Sequence, residues 1–317
     1  MLSPSVYRFL IALGLIAAAA CAWLPSYYAG LLIDGLIFSI LALSLNLIVG
    51  YAGLPSLGHS AYFAIGAYAA GLMSVHVTSN FFADAFAGIA AGALLSAALG
   101  LLALRTTGVY FLMITLALAQ IVWGVALTWR QVTGGDDGLR GVTRPTFGIA
   151  HLDLTLTATF YLFALVCFLA VFALMRLILS SPFGRSLVGI RDNETRMSAL
   201  GYHVWLHKFI AFVIAGAFAG FAGVLFVQYE GFVSPEAASI VVSAEAMLMV
   251  ILGGAASLSG PVIGAFAIIL LSNFSSAYTS HWTFVLGALY AIVMLVAPGG
   301  IVGEVSKVLR RRRRPRS

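Results

Sequence analysis

A series of apolar runs, each close to the roughly 20 residues that an α-helix needs to cross a bilayer, governs what this chain can fold into. On that template spans fall at 9–27, 31–50, 59–77, 81–104, 110–129, 154–179, 209–229 and 282–297, with a longer apolar tract at 240–274. The long polar interruptions are 130–153 and 180–208, and neither holds a soluble domain. Hydrophobic residues make up 62% of the 317 positions and charged ones 9%. Soluble domains carry about 25% charged residues, so lipid is the solvent for most of this surface. The sequence predicts an all-α polytopic membrane protein with one transmembrane domain over residues 1–317.

Arg8, the apolar run after it and the small residues Ala18 to Cys21 also fit a cleaved signal peptide. The run continues past the small residues, however, and Trp23, Tyr27 and Tyr28 form an interfacial belt at its far end. An uncleaved first helix is the better reading. Cys21 and Cys167 both lie in apolar runs and read as small buried hydrophobes, not as a disulfide.

Orientation follows from the basic residues. Much of the net charge of +6 sits in the tail 305–317, at Arg310 to Arg314 and Arg316. Segment 180–208 carries Arg185, Arg191, Arg196 and Lys208. Both are therefore expected in the cytoplasm, the tail against anionic lipid head groups and not nucleic acid. The spans preceding 180–208 then put the N-terminus inside as well. Parity requires an even number of crossings between that segment and the tail, so the tract 240–274 should cross twice. Residues 253–261, GGAASLSGP, are a strong breaker and are predicted as a hinge on the cytoplasmic side. The count becomes about ten spans, with eight as the lower bound, and both termini are cytoplasmic.

Few residues offer chemistry. The close pairs Gly88/Gly92, Gly216/Gly220 and Gly260/Gly264 read as helix-packing positions. Asp34, Asp84 and Glu230 fall near predicted helix ends, Glu245 is the deepest carboxylate, and no Lys or Arg lies mid-membrane. That pattern is poor for an ion-coupled secondary transporter. No phosphate-loop pattern occurs. The pair His203/His207 has helical spacing but no further ligands in register, so neither a catalytic nor a metal site is expected. Segment 180–208 is the most informative. It opens on a Ser-Pro-Phe-Gly turn, and Arg185 to Leu200 then alternates charged and apolar residues at helical spacing, offering Leu187, Ile190, Met197 and Leu200 to one face. Gly201 punctuates the end before a second amphipathic stretch. Such a hairpin suits either a groove on a partner protein or the lipid head groups.

Longer motifs add a resemblance. ALSLNLIVGYAG at 42–53, SLGH at 56–59, GAY at 66–68, TGGDDGL at 133–139, SPFGR at 181–185 and RDNE at 191–194 resemble, in order, the LivM-type permeases of branched-chain amino acid ABC importers. So do Gly253-Gly254, Gly260-Pro261, Gly264 and APGG at 297–300. The resemblance implies half of a transmembrane pore in the bacterial inner membrane, paired with a LivH-like second permease chain. Two cytoplasmic ATP-binding subunits would use the ATP, a periplasmic substrate-binding protein would deliver the amino acid, and this chain would bind no cofactor. It also implies that 180–208 is the ATPase-coupling loop, with Gly184, Arg185, Arg191, Glu194, Ala199 and Gly201 as its residues. Thr195 and Arg196 depart from the family pattern, which favours alanines there. Ser44, Asn46, Thr115 and Gln120 are polar candidates for the translocation path, with helix–helix hydrogen bonding as their alternative role. Related permeases carry urea or short amides, so the substrate class stays open between these and leucine-type amino acids.

Overall fold

The computed structural model describes residues 26–78, 80–144, 154–255 and 257–278, with the isolated positions 284, 287 and 288. The expected first span at 9–27 (but for its last two residues), the basic tail and, but for those three positions, the span at 282–297 lie outside the described residues.

The helices follow the apolar runs. In chain order they are α1 (Ser26–Asn46), α2 (His59–His76), α3 (Phe81–Ala103), α4 (Gly108–Thr128), α5 (Thr157–Ser180), α6 (Pro182–Asp192), α7 (Glu194–Ala199), α8 (Val204–Glu230), α9 (Ile240–Gly253) and α10 (Gly260–Tyr278). A π-turn, Leu47–Tyr51, continues α1. Among the described residues five helices are long and apolar enough to cross a membrane: α1 with its π-turn, α3, α4, α5 and α8. α2 has the expected bounds but carries His59, Ser60, Tyr62 and Tyr68, all buried against protein. A helix enclosed by other helices does not need the apolarity that lipid contact demands.

α1 is the most enclosed of the five and packs against α5, α8, α9 and α10. Beside it α2, α3 and α8 form a tight trio held by glycine. α3 buries Asp84, Gly88, Gly92, Ser96 and Gly100, one residue per turn, along the stripe that faces α8. A methyl group at Gly220 would lie 2.4 Å from the Gly88 carbonyl oxygen, one at Gly92 would lie 2.4 Å from Gly216 O, and one at Gly66 of α2 would lie 2.3 Å from Gly220 O. Backbone touches backbone, and the contact gains the dispersion that drives helix association in lipid. Two of the three glycine pairs expected to pack, 88/92 and 216/220, thus pack on each other.

The tract 240–274 breaks where the sequence predicts. α9 ends at Gly254, whose φ of +108° is open in practice only to glycine, and α10 restarts at Gly260. Gly253 abuts the Gly260 carbonyl and Gly264 abuts that of Met249, so the two helices are antiparallel. α10 in turn runs antiparallel to α1. Ala255 lies against Gly50, at the C-terminal end of α1, while Tyr27 Oη donates to Asn273 Oδ1 at 2.6 Å near its N-terminal end. α9 is about 21 Å long at 1.5 Å per residue, short of a full crossing. Phe232–Val233 pairs antiparallel with Leu139–Arg140, and a largely buried turn, Pro235–Ala238, then leads to α9, whose first residues Ile240 and Val241 are exposed.

The glycine contacts yield a test. Gly220→Leu should destabilise the purified chain by about 3 kcal/mol through overpacking. Gly124→Leu, where an added Cβ meets nothing within 4 Å, should leave the thermal unfolding midpoint in detergent unchanged.

Candidate functional site

Segment 180–208 folds from its capping residues. Ser181 Oγ accepts the Gly184 N–H at 3.3 Å and Pro182 occupies the first turn, so α6 starts there. Asn193 Oδ1 accepts the Arg196 N–H at 2.8 Å and starts α7. The single helix expected from Arg185 to Leu200 is therefore two, because the extended backbone of Asn193 caps the second at the expense of the first. Leu187 and Ile190 are fully buried as expected, and Met197 packs over Gly189. Leu200 is a correction: it is 67% exposed, since the break at Asn193 rotates it off the buried face. α7 buries none of its residues, and Leu200, Tyr202, Trp205 and Leu206 form an exposed apolar rim beside it. α8 begins at Val204, earlier than the expected 209, and takes in Lys208.

The sequence-derived residues of this segment take different positions. Gly184 is buried where a methyl group would sit 2.4 Å from the Leu179 carbonyl oxygen. Arg185 and Ala199 are exposed, and Arg185 donates to Ser180 O at 3.2 Å. Gly201 has φ +87°; its N–H bonds to Ser198 O, and the Tyr202 N–H reaches back to Met197 O at 3.1 Å, closing α7 as a helix-terminating glycine does. Glu194 accepts a hydrogen bond from the Nζ of Lys208, whose side chain is only 8% exposed. Arg191, itself exposed, reaches across to the end of α1: its Nη1 donates to Gly50 O at 2.6 Å. His207, from the histidine pair, bonds the His203 carbonyl oxygen and stacks on Phe183.

The path candidates lie elsewhere, and three are sealed inside the bundle. Ser44, Asn46 and Thr115 are at most 2% exposed. Ser44 Oγ donates to Leu41 O at 2.6 Å and lies 2.7 Å from His59 Nε2. With the single hydroxyl proton so placed, the ring donates from Nε2, and His59 Nδ1 is left as a buried acceptor without a partner. Thr115 Oγ1 accepts the Leu57 N–H at 3.3 Å. Asn46 Nδ2 donates to Ser257 O at 3.0 Å. Gln120 stands apart on half-buried ground, with no partner for its Nε2. The structure adds Ser60 and Ser243: the Ser243 hydroxyl donates to Ser60 Oγ at 2.7 Å, and Ser60 Oγ donates to Ala238 O at 3.1 Å. Each pair is close in space but far apart along the chain, so sequence spacing gave no signal for it. Glu245, half-buried in the second turn of α9, has no hydrogen bond or ion pair among the described residues.

Several apolar helices of lipid-spanning length, with an exposed helical pair at one end, define a multi-pass membrane protein. Residues 27–298 match the family described as branched-chain amino acid transport system, permease component. The chain is 31% identical to the high-affinity branched-chain amino acid transport system permease protein LivM of Salmonella typhimurium, over 84% of this chain and 68% of that protein. Identity to the LivM protein of Escherichia coli K12 is also 31%, with the same coverage. The LivH permease protein of Salmonella typhimurium is 27% identical over 86% of this chain and 94% of its own length. No solved structure matches. The chain belongs to the family of branched-chain amino acid transport permeases.

The Glu194–Lys208 pair yields a second test. Glu194→Ala strands a buried ammonium group and should lower stability by about 1–3 kcal/mol, read by unfolding in detergent. Adding Lys208→Met should restore most of the loss; a double variant as weak as the single would contradict the pairing.

Proposed function

We propose that this chain is one half of the transmembrane pore of a binding-protein-dependent ABC importer in the bacterial inner membrane, carrying branched-chain or related amino acids. Family membership supports the permease role, and the LivM and LivH relatives support pairing with a second permease chain. The observation that carries the coupling reading is the α6–α7 pair. Its inner face is rooted by Leu187 and Ile190, while α7 and the rim at Leu200 to Leu206 are left open. A firmly anchored element with an unpartnered outer surface suits a groove on a cytoplasmic ATPase. ATP binding there would supply the differential affinity between inward-open and outward-open states that alternating access requires.

The α9–α10 hairpin supports two crossings in the tract 240–274, with the hinge at the same end as α6 and α7, and so an account with about ten spans and both termini in the cytoplasm. We assign Gln120 and Glu245 to the translocation path, because each presents a polar group within an apolar helix without a partner among the described residues. Ser44, Asn46 and Thr115 reach the path when α1, α2 and α9 part.

Reconstitution tests this reading. In liposomes the chain alone should take up no leucine under an ion gradient. Uptake should require the second permease chain, the ATPase subunits, ATP and the binding protein. Gly201→Pro, which loses both the N–H and the positive φ that close α7, should cut binding-protein-stimulated ATP hydrolysis by about tenfold, the rate equivalent of roughly 1.4 kcal/mol, while leaving membrane insertion intact. Uptake by the chain alone, or undiminished stimulation, would refute it.

A further inference from the structure

The C-terminal end of α1 has an unusual partner. In a continuing helix the Gly50 carbonyl would accept from residue 54 or 55. The Leu54 N–H is committed to Ile48 O at 3.0 Å, and Pro55 has no N–H. Arg191 of α6 fills the gap at 2.6 Å, placing a cation on the negative end of the helix, and its Nη2 also holds Asp192 Oδ1 at 3.0 Å. The fit is close, since a methyl group at Gly53 would lie 2.6 Å from Arg191 Cγ.

The same turn touches the α9–α10 hinge on its other side. A methyl group at Gly50 would lie 1.8 Å from the Ala255 carbonyl oxygen, and Asn46 Nδ2 donates to Ser257 O at 3.0 Å. Ser257 Oγ donates to Gly254 O at 3.1 Å and accepts the Gly260 N–H at 2.9 Å. One residue thus ties the end of α9 to the start of α10, and both to α1.

We infer that Arg191, the π-turn Leu47–Tyr51 and Asn46 form a relay that carries movement of the α6–α7 pair to the α9–α10 hinge. Arg191 is a positioning residue: from the exposed end of α6 it reaches across to the end of α1 and grips a backbone atom. The π-turn is the element that yields. Such turns concentrate at functional positions in helices, and one wider turn can re-pair its carbonyls without unwinding the whole span. Displacement of α6 then pulls Gly50, and through Asn46 and Ser257 reorients the hinge about Gly254.

This relay presupposes the proposed coupling role of 180–208, and the two are tested apart. The complex is purified through a tag on this chain and placed in proteoliposomes, and leucine uptake per ATP hydrolysed is measured with saturating binding protein. Arg191→Ala is expected to retain the ATPase subunits through purification while that ratio falls about tenfold, the rate equivalent of one charge-assisted hydrogen bond. Arg191→Lys, which keeps a cation at the Gly50 carbonyl, should recover part of it. Asn46→Ala should show the same loss, and the double variant should be no worse than either single, since both cut one line of contacts. Arg191 is a surface residue whose truncation leaves the core intact, so its variant alone is decisive. A normal ratio in Arg191→Ala overturns the relay, as do additive losses in the double variant or loss of the ATPase subunits, which would make Arg191 a docking residue. If Gly201→Pro still uncouples while Arg191→Ala does not, the coupling role of the segment stands and only the relay fails.

Discussion

Inside a bilayer no water replaces a missing backbone hydrogen bond, so a chain that interrupts its helices there must satisfy the freed groups from its own side chains. This protein interrupts its helices at 52–58, 234–239 and 254–259, and a set of polar side chains bonds the backbone at those breaks, while others, such as the buried Asp84 and Gln228, join one helix to another. Thr115 takes the Leu57 N–H, Ser243 takes the Ser60 N–H, Ser60 returns a bond to Ala238 O, Asn46 reaches Ser257 O and Arg191 reaches Gly50 O.

The bundle divides accordingly. α2, α3 and α8 meet backbone to backbone through glycine and have no room to shift singly. α9 and α10 also touch backbone to backbone, at Gly253, Gly260 and Gly264, but a hinge joins them, and α1 reaches that hinge through the Asn46–Ser257 bond. The α6–α7 pair leads to both halves. α7 runs on into α8 and is pinned to it by Glu194 and Lys208, whereas α6 grips the end of α1. Under the proposed coupling role, an input at this surface would be split between the rigid trio and the set of interrupted helices, the arrangement that relative motion of two bodies requires.

Much of this was legible in the sequence. The apolar runs gave the helix bounds to within a few residues, except at the starts of α1 and α8, each of which begins five residues early, because length and hydropathy are local properties. The parity of the charged segments demanded a break in the tract 240–274, and it lies at Gly254. The glycine pairs foretold close packing but not which pairs meet, since that depends on tertiary register. At Leu200 the helical period misled, because Asn193 offered its side chain to the next helix and ended the first. The contacts of Asn46 with Ser257, Arg191 with Gly50 and Glu194 with Lys208 join positions that the chain brings together only when folded, and no spacing rule finds them. Pro55 was the one available hint, as a proline beyond a helix end leaves a carbonyl in search of a donor.

The account stands on the α6–α7 pair and the α9–α10 hinge sharing one end of the bundle, and on that end facing the cytoplasm. Cysteine accessibility measures this directly, using Ser198→Cys and Ser259→Cys singly in a chain with Cys21 and Cys167 replaced by alanine. Both positions should react with a membrane-impermeant thiol reagent in inside-out vesicles and be protected in intact cells. Labelling of the two from opposite faces, or of both from outside, would contradict it.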